Sequence, residues 1–131
     1  MTNTLDKVSP YVLSVLRVMS GLLLLQHGTI KFLSIPVGPM NNTDPTSLSG
    51  IAGMIELVCG PLLILGLFTR PVAFLASGLT AFAYFLAHAP RGFYPILNGG
   101  ELAVLYSFVF LYLAAAGGGA LSLDRLFRRS E

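Results

Sequence analysis

The sequence predicts an all-α, polytopic membrane protein: a four-transmembrane-helix bundle with a short C-terminal amphipathic tail. Of its 131 residues 54% are hydrophobic and only 11% charged, with a mean hydropathy of +0.76. A water-facing domain of this size needs more ionisable side chains than that to cover its surface, which excludes most soluble enzymes. The apolar residues fall into four runs, each near the roughly 20 residues that one helical crossing takes. Four crossings use about 80 positions and leave about 50 for termini and loops, so residues 1–131 form a single membrane domain.

The first span covers about 11–32, apolar apart from Arg17, Gln26, His27 and Lys31. Its length, the arginine inside it and the lack of a small-x-small site after it argue against a cleaved signal. Pro36, Gly38, Pro39, Asn41, Asn42, Asp44 and Pro45 then forbid a continuous helix, making 33–48 the longest loop. The second span, about 49–68, is interrupted by Glu56 and Pro61, and the third runs over about 71–88. Thr69-Arg70-Pro71 joins them so tightly that they must lie antiparallel and adjacent, with the proline in a first helical turn. Pro90, Arg91, Gly92 and Pro95 mark a second loop on the side of the first. The fourth span, about 98–117, ends at Gly117-Gly118-Gly119, after which Ser122 is placed to cap an amphipathic tail containing Asp124, Leu126 and Phe127.

Lys7, Arg70, Arg125, Arg128 and Arg129 fall on the side of the termini, against Lys31 and Arg91 on the other. That bias predicts a bacterial-type inner-membrane protein with both termini cytoplasmic. The C-terminal arginines suit anionic lipid headgroups in the bilayer and are too few for a nucleic-acid footprint. The single cysteine, Cys59, excludes an internal disulfide and a Cys-x-x-Cys thiol relay. No internal repeat supports an inverted-repeat transporter.

Ionisable groups inside a bilayer cost several kcal/mol each, in rough terms, unless paired or wetted, so each is a candidate for a role. Counting rises along the helices places Glu56, Glu101, His27 and His88, from four different spans, in the outer part of the bundle. Arg17, Gly21, Leu24, Gly28 and Lys31 share one stripe of the first helix. Ser49, Ala52, Gly53, Glu56, Gly60 and Leu63 share a small-residue face of the second, which points Glu56 inward. Pro61 cannot bond the Leu57 carbonyl and is expected to kink that helix.

Two readings follow. Glu56 and Glu101 either move protons as catalytic groups or form structural ion pairs with Lys31, Arg17 or Arg91. Arg17, His27, Lys31, His88 and Asn98 are candidate ligand-binding residues. His27 and His88 also suit haem or metal ligation, though no local motif fixes a metal site and none is assigned. Asn98 reads most simply as a helix N-cap, Cys59 as a packed apolar side chain, and Tyr84, Phe85, Phe93, Tyr94 and Tyr106 as an interfacial aromatic belt.

Arg17, Gly21, His27-Gly28 and Lys31 in the first span resemble the DoxX family of small four-helix membrane proteins. So do Glu56, Gly60, Gly66-Leu67 and Thr69-Arg70 across the second, Asn98-Gly99-Gly100-Glu101 opening the fourth, and the closing Gly117-Gly118-Gly119 with Ser122-Leu123-Asp124. The likeness extends from about 12 to 125. Members of that family are associated with quinone-coupled thiosulfate oxidation and with membrane redox or sulfur-stress complexes. The resemblance therefore implies a quinone-linked or redox-associated subunit, with quinone as cofactor and a membrane or periplasmic redox protein as partner. In that role His27 or Lys31 would bond a quinone carbonyl, and Glu56 or Glu101 would pass protons outward. The alternatives are a non-catalytic scaffold or accessory subunit held by a structural charge network, and, third, a small-molecule carrier. The small-residue faces serve either the bundle itself or a homo-oligomer.

Overall fold

Glycines on two facing helices set the closest contact of the bundle. In the computed structural model, which describes residues 2–128, helix α1 spans Thr2–Phe32 and α2 spans Leu48–Leu65. A Cβ at Gly28 would stand 2.9 Å from the Gly53 carbonyl oxygen, and one at Gly60 would stand 2.7 Å from the Leu25 Cβ. Only glycine lets the backbones approach this closely, so the two polar stripes read from the sequence face each other. Gly53, Glu56, Gly60 and Leu63 are buried in this contact, while Ser49 is exposed.

The second pair is α3 (Thr69–Ala83) against α5 (Glu101–Ala116). Buried Ala73 and Ala76 keep these helices near, and serines stitch them together. The Ser77 hydroxyl donates to the Ser107 carbonyl at 2.7 Å, and the Ser107 hydroxyl returns a bond to the Ser77 carbonyl at 3.1 Å. Fewer contacts join the two pairs, through α2 with α3 and α1 with α5. Leu24, Cys59, Leu63, Phe110 and Leu113 fill the space between them.

The surface is apolar and much of the interior is polar. Leu16, Val58, Phe74, Phe82 and Phe108 lie exposed, whereas Ser14, Arg17, Lys31, Glu56 and Asn98 are buried. This is the distribution expected when lipid replaces water as the solvent. Three stretches, Asn3–Phe32, Leu48–Leu65 and Thr69–Arg91, are long and apolar enough to cross a bilayer. Helix α5 has 16 residues, about 24 Å at 1.5 Å per residue, so it falls short of a 30 Å hydrocarbon core by itself. The one-turn helix α4, Pro95–Asn98, precedes it.

Several boundaries differ from those the sequence suggests. Helix α1 begins at Thr2 rather than near residue 11 and carries Pro10 inside it; the Pro10 carbonyl accepts from Ala120 N at 3.0 Å and from the Ser14 hydroxyl at 3.2 Å. The third span changes winding after Ala83, with a π turn over Tyr84–His88 and a 3-10 turn over Ala89–Arg91. Pro90 has no N–H to offer the Leu86 carbonyl, so a regular α-helix cannot continue there. Helix α2 runs unbroken through Pro61 to an end at Gly66, whose φ of 70° is the left-handed conformation glycine adopts without strain.

The C-terminal segment is tied back into the helix ends. Ser122 caps the last helix, α6 (Leu123–Arg128), accepting from Arg125 N at 3.2 Å. Asp124 caps a different one. Phe68 precedes α3 and has no side chain that can cap, so the Asp124 carboxylate accepts from Phe68 N at 2.7 Å and Thr69 N at 2.9 Å. Burial pushes this carboxyl up, but the bonds from Thr69 and Phe68, with Arg128 nearby, outweigh that and hold it below the ordinary aspartate value. A depressed folded-state pKa contributes stability that is present above the unfolded value and is lost as pH falls through the folded one. Asp124→Ala is therefore expected to cost about 1 kcal/mol at neutral pH. Asp124→Asn should flatten the part of the stability loss that wild type shows below about pH 4. Thermal melts in detergent at pH 7 and pH 3.5 check both; equal wild-type and Asn slopes would remove Asp124 as the titrating cap.

Candidate functional site

Lys31 closes the last turn of α1 and Glu56 lies in the middle of α2, and the glycine-mediated approach brings them into contact. Lys31 Nζ stands 3.0 Å from Glu56 Oε2, with side chains only 5% and 10% exposed. Among the described residues this is the one salt bridge, and it selects Lys31 from the three cations that the sequence offered Glu56.

One turn below Lys31 on α1, His27 meets α5. Its ring lies edge-on to Tyr106, with centroids 6.3 Å apart, and Tyr106 stacks in turn on Phe110 at 5.6 Å. Tyr106 departs from the interfacial belt expected of it. It is 7% exposed, a member of the core, and its hydroxyl is buried without a hydrogen-bond partner among the described residues. The signal for this was legible: Tyr106, Phe110 and Leu113 recur at helical spacing and mark the buried face of α5. Phe85 and Phe93 are exposed, as a belt requires.

A third cluster sits at the same end, where α3 unwinds. Asn98 Nδ2 donates to the Tyr84 hydroxyl at 3.2 Å and to the Gly92 carbonyl at 3.0 Å, and its Oδ1 accepts from Gly100 N at 2.8 Å. Asn98 is thus the clasp of the second loop, whereas Gly100, which caps α5, offers that helix no side-chain bond. His88 Nδ1 lies 3.2 Å from the Asn98 carbonyl oxygen, and its ring stacks on Tyr84. A carbonyl only accepts, so Nδ1 carries a proton and donates this bond, which leaves Nε2 outside it.

Glu101, in the first turn of α5, is exposed and edges a shallow groove with Pro95, Ile96, Gly99, Leu102 and Leu105. Among the described residues no ion pair joins it to a cation, and the Glu56 carboxylate is taken up by Lys31. His27 and His88 likewise belong to separate clusters, and no three His, Cys, Asp or Glu side chains gather as a metal would require among the described residues.

Arg17 lies at the other end of the bundle, about 21 Å along α1 from Lys31. Arg17 is 1% exposed, and its guanidinium donates to backbone carbonyls: Leu63 at 2.8 Å, Ile64 at 3.4 Å, Leu121 at 2.7 Å, and Gly118. The last carbonyls of α2 carry partial negative charge, so the cation is neutralised without a contacting carboxylate. Ser14, one turn earlier, donates to the Gly118 carbonyl at 3.1 Å and accepts from Leu121 N at 2.9 Å. Ser14 falls on the Arg17 stripe at helical spacing, which is the sign by which sequence alone could have found it.

The DoxX family model matches residues 12–89. The chain is 48% identical to an uncharacterized protein of Haemophilus influenzae over 132 aligned positions, covering 95% of this chain and 97% of that one. A second uncharacterized protein of the same organism is 36% identical over 74 positions, 56% of this chain and 49% of that protein. No solved structure matches the chain.

Proposed function

The chain belongs to the DoxX family of small membrane proteins, and from that premise we propose that it is a redox-associated subunit of a bacterial-type inner membrane that holds a quinone in its outer half. Tyr106 carries this reading. A buried hydroxyl without an acceptor costs about 1–3 kcal/mol, and a ligand carbonyl placed against it would supply the acceptor. His27, edge-on to the same ring, provides a second polar group beside it. The basic bias of the sequence puts the termini in the cytoplasm and these groups toward the outer face.

A bound quinone would supply two-electron chemistry coupled to protons. The chain's part is to bind and orient that ring through Tyr106 and His27, and to exclude water with the surrounding core. His88 Nε2 and the exposed Glu101 are the groups placed to exchange protons with the outer aqueous phase. A membrane or periplasmic redox protein would complete the electron path.

The test is a visible spectrum of detergent-purified protein, oxidised and reduced, with mass spectrometry of its extracted lipids. Stoichiometric quinone is expected. Tyr106→Phe should keep or slightly raise the melting temperature, because an orphaned hydroxyl is removed, while quinone retention falls about tenfold. Quinone-free wild type, or equal retention by the variant, overturns the proposal. Quinone-free wild type would favour the second reading, an accessory scaffold, whose support is that Lys31 and Glu56 already satisfy each other at 3.0 Å.

A further inference from the structure

At the Arg17 end of the bundle, a crevice of about 400 Å³ opens between the last turn of α2 and the C-terminal segment. Ile64, Leu65, Leu121 and Leu126 form its apolar walls and Arg125 stands on its rim. Leu65, Leu121 and Leu126 are exposed, so the walls are turned outward and not folded into the core. We propose that this crevice docks one anionic phospholipid, its phosphate on Arg125 and the start of an acyl chain against the leucines.

The crevice has fixed walls. Residues 120–124 are held to α1 and to the end of α2: Ala120 N donates to the Pro10 carbonyl, Leu121 N to Ser14, and Asp124 N to the Gly66 carbonyl. Arg17 grips Leu121 as well as the end of α2, so both walls hang on one buried cation. A ligand meeting such a site need not order it first, which favours binding.

The charge of Arg125, on the rim, is only weakly engaged. The Arg125 guanidinium makes one long bond, 3.4 Å, to the Ala120 carbonyl, and Arg128 Nε makes another of 3.4 Å to the Asp124 carbonyl. Among the described residues neither is in a salt bridge. Asp124, next to Arg125 in the chain, is committed to the start of α3. Arg70, on the same end, likewise bonds carbonyls, those of Ala114 and Ala115 at the end of α5. A basic rim above apolar walls at the level of the headgroups matches the two halves of an anionic lipid. A soluble anion would use the arginine and leave the leucines uncovered.

The experiment uses full-length protein in a delipidating detergent, with a thiol-reactive dye reporting unfolding through the single buried cysteine, Cys59. Phosphatidylglycerol is expected to raise the melting temperature by about 3 °C or more and to saturate near one lipid per chain. Phosphatidylcholine with the same acyl chains should do markedly less, and sn-glycerol 3-phosphate nothing. Arg125→Gln, an exposed change that leaves the helix ends intact, should remove the difference between the two lipids. Native mass spectrometry should show one phosphatidylglycerol retained by wild type and lost by the variant. Equal effects of the two lipids, an equal rise with glycerol phosphate, or an undiminished increment in Arg125→Gln each overturn the proposal.

Discussion

Glu56→Gln is expected to destabilise the folded protein by about 3–5 kcal/mol, the cost of leaving a buried charge without its partner. The Lys31 side chain is only 5% exposed, and a neutral amide cannot return the attraction that a carboxylate gives its ammonium at 3.0 Å. Lys31→Met should cost a similar amount, because it strands the carboxylate instead. The double variant Lys31→Met, Glu56→Leu should recover most of the loss, since a buried pair replaced by apolar groups of similar size is often neutral. A double-mutant cycle closed with the single variants Lys31→Met and Glu56→Leu, from melts followed by Cys59 labelling, would measure the coupling. Independent, additive losses from the two single variants would show that the pair does not act as a unit. The double variant also separates the two functional readings. Recovered stability with normal quinone retention confines the pair to a structural role, whereas recovered stability with lost retention ties it to the ligand site.

Arg17→Met should be the other severe change, costing about 3 kcal/mol or more, because bonds to a charged donor are worth about 1.5–3 kcal/mol each and several carbonyls lose theirs together. Arg17→Lys should rescue little. The guanidinium fork spreads its donors over the end of α2, Gly118 and Leu121, and a single ammonium nitrogen cannot span them. Because the same fork holds residues 118–121 against α1 and α2, Arg17→Lys should also make the C-terminal segment of the detergent-solubilised protein sensitive to protease. A lysine variant that melts with wild type and keeps that segment protected would refute the role assigned to the fork.

The helical period was enough to put Arg17, Gly21, Leu24, Gly28 and Lys31 on one buried face, because a side chain's direction on a helix is local geometry. Proline and glycine clusters marked the loops for an equally local reason: they remove donors or require φ angles that a helix lacks. Composition alone demanded a lipid-facing exterior. Partner choice was another matter, since it depends on distances between helices. Glu56 meets Lys31 because Gly28 and Gly53 let two backbones nearly touch. Arg17 turns to carbonyls because the end of α2 and a glycine turn a hundred residues away converge on it. Asp124 caps a helix that begins 55 residues earlier, and Tyr106 faces the core rather than the membrane surface because α1 and α5 close over it. Local rules settle which face a residue occupies; only the packed bundle settles what it finds there.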